Sequence, residues 1–113
     1  MMFHKPKTIP ESFIGMYSRF KGEIVSKRGL RVDGFIEGSI VVDQIVIGER
    51  ARVTGDIYAR DVAVAGKVEG NIHAKESINI GDKGQVIGGV NAPHLSLSKG
   101  ARFDGRSIIL PEG

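Results

Sequence analysis

Six glycines recur at positions 22, 38, 55, 70, 88 and 105, a mean period of about 16.6 residues. Each sits in the phrase apolar-x-Gly-x-apolar. The copies are Phe20-Lys21-Gly22-Glu23-Ile24, Ile36-Glu37-Gly38-Ser39-Ile40, Val53-Thr54-Gly55-Asp56-Ile57, Val68-Glu69-Gly70-Asn71-Ile72 and Val86-Ile87-Gly88-Gly89-Val90. The sixth, Phe103-Asp104-Gly105-Arg106-Ser107, loses the final aliphatic. A second alternating pair lies between copies: Leu30/Val32, Ile45/Ile47, Val62/Val64, Ile78/Ile80 and Leu95/Leu97. Alternation with period two marks strands with one buried face. Recurrence at fixed spacing marks a chain built from stacked copies of one unit.

A period near 17 with two or three short strands per copy is too short for helical or propeller repeats. It fits one winding of a parallel β-helix, each winding lying about 4.8 Å above the last. About six windings follow, with Val and Ile stacked inward as ladders and Lys21, Glu37, Thr54, Glu69 and Asp104 pointing out. The glycine column fits either a corner that needs positive φ or an interior too narrow for a side chain. Left-handed β-helices repeat an aliphatic residue every six positions; the apolar centres here are four to six apart (Val64 to Val68, Ile72 to Ile78). That drift argues for a right-handed coil. Pro93, Lys83-Gly84 and Lys99-Gly100 fall between strands, where turn residues belong.

Composition agrees with an all-β domain. The 113 residues include 16 Gly, no Trp and no Cys, which favours strands joined by tight turns and leaves no disulfide or thiolate chemistry. No apolar run approaches the roughly 20 residues of a membrane-spanning helix, so a cytosolic chain is expected. Positive charge is concentrated at the start: residues 1–31 hold Lys5, Lys7, Arg19, Lys21, Lys27, Arg28 and Arg31 against Glu11 and Glu23. Such an end suits anionic lipid. The basic residues lack the aromatic interleaving of a single-strand nucleic-acid groove, and no nucleic-acid partner is expected.

No catalytic, cofactor or metal constellation emerges. His73 follows its column by one residue and His94 by four, placing them on different parts of the perimeter, and His4 lies in the tail. Gly81-Asp82-Lys83-Gly84 lacks the spacing of a phosphate loop and reads as a turn. The two ends are more informative. The first ladder runs Phe20, Ile36, Val53, Val68, Val86, Phe103: aliphatics inside, an aromatic at each terminus. A solenoid must cover its last windings or bind something there. No helical cap is evident in residues 1–19, and Phe13, Ile14, Met16, Tyr17, Ile108, Ile109 and Leu110 add apolar mass. The ends are therefore expected to bind other molecules.

Ser12-Phe13-Ile14-Gly15, Leu30-Arg31-Val32-Asp33-Gly34, Val68-Glu69-Gly70-Asn71-Ile72 and Ala101-Arg102-Phe103-Asp104-Gly105, in this order and spacing, resemble the bactofilins, bacterial cytoskeletal proteins. The resemblance covers residues 12–107. It implies a right-handed, three-sided β-helix that joins end to end into non-polar filaments without nucleotide and without enzymatic activity. Head would meet head and tail would meet tail. It also implies scaffolding of envelope machinery, a role in cell shape, and cell-wall enzymes or a paralogue as further partners. The Ala101–Gly105 phrase carries an assembly role onto Phe103, beside which Phe20, Ile14, Ile108 and Leu110 are the candidate polymerisation residues.

Members of that family often begin with a membrane-targeting peptide, which Met2-Phe3-His4-Lys5 resembles after one extra Met. Met1, Met2 and Phe3 would enter the headgroup layer of the inner membrane face while Lys5 and Lys7 meet anionic lipid, at about 1 kcal/mol each. The expected layout is a disordered tail over 1–11, the β-helix over 12–110 and a short end over 111–113. Two other readings remain at this point: a solenoid adaptor that never polymerises, and a left-handed β-helix enzyme of the acyltransferase or carbonic anhydrase type.

Overall fold

In a computed structural model, which describes residues 12–109 and 111, the chain winds as a parallel β-solenoid without helix. Twelve strands follow one another: β1 (Ser12–Ile14), β2 (Arg19–Val25), β3 (Gly29–Val32), β4 (Phe35–Val41), β5 (Gln44–Ile47), β6 (Arg52–Thr54), β7 (Ile57–Val64), β8 (Lys67–Glu69), β9 (Ile72–Ile80), β10 (Gln85–Ala92), β11 (His94–Leu97) and β12 (Arg102–Ile109). All pairings are parallel, each strand hydrogen-bonding to the equivalent strand one turn away. Three faces result. One carries Phe20, Ile36, Val53, Val68, Val86 and Phe103 in register. The next begins after the glycine corner with Ile24, Ile40, Ile57, Ile72 and Val90. The third stacks Leu30, Ile45, Val62, Ile78 and Leu95.

The repeat count suggests about six windings; the solenoid makes about five full turns. Six glycines bound five intervals, and the strands outside them close only part of a turn. The interior is aliphatic. Ile40, Ile47, Val53, Ile57, Val68, Ile72 and Ile78 are fully inaccessible, and no polar or charged side chain among the described residues is buried. Each such side chain contributes about 1.5–3 kcal/mol relative to exposure. A smaller column, Val42, Ala59, Ala74 and Ala92, fills the corner after the second face.

Of the two readings of the glycine column, the positive-φ corner holds, and the crowding lies between turns rather than in the interior. All six adopt φ between 138° and 152°, a region disfavoured for residues with a Cβ. In addition, a Cβ on Gly38, Gly55, Gly70, Gly88 or Gly105 would collide with the carbonyl oxygen of the glycine one turn earlier. The backbone therefore stacks on itself at this corner with no room between turns.

The uneven period has a location. Between the third face and the first, the link is two residues after β3 and β7 but four after β5, β9 and β11. The four-residue links close as tight turns, Ala51 N–H to Gly48, Gly84 N–H to Gly81 and Ala101 N–H to Ser98 at 2.9–3.0 Å. Gly81–Gly84 is thus a turn, as the sequence suggests. A register shift absorbs one more residue: Lys75 and Glu76 stand between Ala74 and Ser77 in β9 where Arg60 alone stands between Ala59 and Asp61 in β7. The Arg60 guanidinium reaches Asp61 at 3.0 Å and Asp43 at 3.4 Å on the outside.

Candidate functional site at the two ends of the solenoid

Among the described residues, stacking leaves each end with an uncovered turn. At the first end β2 pairs with β4 alone and β1 with β3 alone; at the other, β12 pairs with β10 and β11 with β9. One edge of each of these strands points along the rod axis with no strand among the described residues beyond it. No helix covers either edge among the described residues. Such edges pair with other chains unless something blunts them.

The side chains at these edges belong to the same columns that form the core, yet lack a neighbour on one side. Phe20 is 37% exposed, against 2% for Ile36 directly above it. Ile24 and Ile14 pack against the core only in part. At the other end Phe103 and Leu95 are partly buried, while Leu97 is 50% and Ile109 59% exposed. The structure therefore places Phe20 and Ile14 at one end and Phe103 at the other.

Ile108 differs. It pairs with Asn91 in an outward column, whereas Ile109 pairs with Ala92 in the inward one. Ile109, Leu97, Leu95 and Ile24 are thus end-face residues that the sequence analysis leaves out of its candidate set. The signal was there: Leu95, Leu97 and Ile24 are the terminal members of ladders already recognised. Leu110 lies outside the described residues, as do Met1, Met2, Phe3, Lys5 and Lys7.

Around the first end the outer surface is basic, with Arg19, Lys21, Lys27, Arg28 and Arg31 on or beside the first turn. Arg19 lies over the Phe35 ring at 5.1 Å, covering part of an exposed aromatic face. The two histidines within the described residues stand apart. His73 stacks on Tyr58 with ring centroids 4.8 Å apart, and His94 begins β11 opposite Ser77.

Residues 12–108 match the family model for bactofilins, described as polymer-forming cytoskeletal. Among curated proteins the chain is similar to bactofilin BacP of Myxococcus xanthus, 28% identical over 87% of this chain, and to bactofilin BacO of the same organism, 31% identical over 81%. It spans 41% of the length of BacP and 74% of that of BacO. Among solved structures it resembles the Thermus thermophilus bactofilin determined by cryo-EM as double helical filaments. The TM-score is 0.83 and the identity 26%, covering 88% of this chain and 99% of that one.

Proposed function

The chain belongs to the bactofilin family, and from that premise we propose that it is a non-enzymatic scaffold that polymerises end to end, without nucleotide, into non-polar filaments. These filaments lie on the inner face of the bacterial membrane and support cell shape or the placement of envelope enzymes. The observation that carries the proposal is the pair of open ends: core columns cut off at Phe20, Ile24, Phe103 and Leu97, beside strand edges that no described residue caps. A two-fold axis across the rod would bring β2 against a second β2, running antiparallel, and likewise β12 against β12. Antiparallel edges satisfy their backbone groups directly, so head-to-head and tail-to-tail contacts suit these ends, and no nucleotide is needed to close them.

Phe103→Arg tests the reading. It sets like charges against each other at one junction and removes an aromatic contact, a loss of about 2 kcal/mol or more at a buried hot spot. The variant is expected to remain β by circular dichroism and to run as a monomer, or as a dimer joined through the Phe20 end, on size exclusion with light scattering. Filaments of wild-type length in electron micrographs would remove Phe103 from the junction. For the membrane, deletion of residues 1–9 is expected to leave filaments intact and abolish co-sedimentation with anionic vesicles. Undiminished sedimentation would refute the role of Met1, Met2, Phe3, Lys5 and Lys7.

A further inference from the structure

One outward column differs from all its neighbours. Val25, Val41, Tyr58, His73, Asn91 and Ile108 stand in register along the second face, one from each turn. It contains no Lys, Arg, Asp or Glu. The outward columns of the first face, by contrast, read Arg19, Phe35, Arg52, Lys67, Gln85, Arg102 and Lys21, Glu37, Thr54, Glu69, Ile87, Asp104. Exposure in the uncharged column is high: 68% for Val25, 40% for Val41, 43% for Tyr58 and 49% for Ile108. Two contacts join the side chains at its centre. Tyr58 and His73 stack with planes 6° apart, and Asn91 Nδ2 lies 2.9 Å from His73 Nδ1.

We infer that this strip is a lateral contact between two copies of the chain in adjacent strands of a filament, packed antiparallel about a two-fold axis that passes between Tyr58 and His73. The inference rests on end-to-end assembly, because the strip alone is too small. Five steps of about 4.8 Å and a width of two columns give roughly 300–400 Å² per copy, under half of the ~800 Å² each partner presents in a stable pair. Repeated at every subunit of a polymer, the same strip becomes sufficient by avidity.

Two observations fix the occupant and its direction. The strip is nearly the same read from either end: aliphatic Val25 and Ile108 outermost, Tyr58 and His73 at the centre. An antiparallel partner therefore sets Val25 against Ile108 and ring against ring. The flanking column two residues before it runs Glu23, Ser39, Asp56, Asn71, Gly89, Arg106, acidic at one end and basic at the other. The same axis sets Glu23 of each copy against Arg106 of the other, whereas parallel packing of two such strips would not pair these charges. The flanks carry both signs, Glu23, Asp43 and Asp56 beside Arg60, Lys75 and Arg106, so they suit a partner of mixed charge better than a uniformly anionic lipid surface.

The test uses the purified full chain and electron microscopy, with paired and single strands scored separately. Wild type is expected to form paired strands. Tyr58→Glu is expected to give single strands of unchanged subunit repeat, with at least a roughly tenfold fall in the paired fraction. Glu23→Arg and Arg106→Glu are each expected to reduce pairing and, combined, to restore it; this swap decides the matter if Tyr58→Glu fails to fold. Wild-type strands that run unpaired, variant strands that pair as before, or a double variant that stays single would each overturn the lateral contact while leaving end-to-end assembly standing. Absence of any wild-type filament would instead overturn end-to-end assembly, and the lateral contact with it.

Discussion

Ile72 in the middle of the solenoid and Ile24 in its first turn occupy the same column, yet Ile72 is fully inaccessible and Ile24 only partly covered. Ile36 and Phe20 repeat the contrast in a second column. Sequence position within the repeat is identical in each case, and so is the inward direction. What differs is the number of neighbouring turns. In a solenoid a side chain acquires its environment from the turns above and below, so one residue pattern produces core in the middle and half-covered apolar surface at the ends.

The largest expected effect tests the middle. Ile72→Asp places an unpaired carboxylate among aliphatic side chains and costs several kcal/mol. Aggregated or unfolded protein by circular dichroism is expected, and a native melting curve would refute the inward assignment. Next comes the glycine corner, where the two regions separate cleanly. A Cβ at Gly55 meets both unfavourable φ and the Gly38 carbonyl, whereas at Gly22 it meets only the Phe20 ring at 3.7 Å. Backbone strain alone is worth about 1–3 kcal/mol, so Gly22→Ala is expected to lose about that much and Gly55→Ala clearly more in denaturant titrations. Equal losses would mean that the corner is crowded at the end as well.

A smaller difference is expected between Ile36→Ala and Phe20→Ala. The former opens a cavity and costs about 2–5 kcal/mol. The latter is expected to cost less in dilute monomer despite its greater size, and to raise the concentration at which filaments appear. A Phe20→Ala monomer as unstable as Ile36→Ala would show that Phe20 caps its own chain. Smallest of all, Glu69→Ala on the outer face, where Glu69 meets Lys67 at 3.5 Å, is expected within about 0.5 kcal/mol of wild type.

Much of this contrast is legible in the sequence. The ladders through Ile36, Ile40, Ile45 and Ile47 declare themselves because β-branched residues recur two apart, and their terminal members declare the ends. The column of Val42, Ala59, Ala74 and Ala92 does not, since alanine carries little hydrophobic signal, although its spacing matches that of the ladder through Ile40, Ile57, Ile72 and Val90. The glycines allow two explanations in the sequence, a positive-φ corner or a narrow interior, because both forbid the same Cβ. That the crowding comes from the stacked carbonyl of the previous turn shows only in three dimensions. Ile108 and Ile109 are adjacent and alike in sequence; only their pairing with Asn91 and Ala92 separates the lateral face from the end face. The strip through Tyr58 and His73 is hidden for a related reason: it is defined by the absence of charge across turns 15–18 residues apart, which no local window registers.

The direction of the backbone hydrogen bonds has a mechanical consequence. The amides of Gly55 and Gly70 donate to Glu69 and Ile87 of the following turn at 2.8 Å, while those of Gly48 and Gly81 donate to Val32 and Val64 of the preceding one at 2.8 Å, so the bonds run between turns. Tension applied along the rod thus pulls directly on these bonds. Within a turn they share the load side by side, so none ruptures before its neighbours; between turns they form a series, and the weakest link sets the strength. Interior turns add interlocked aliphatic columns to that bonding. A stretched chain of such rods would therefore part where one molecule meets the next and leave each subunit wound and ready to rejoin.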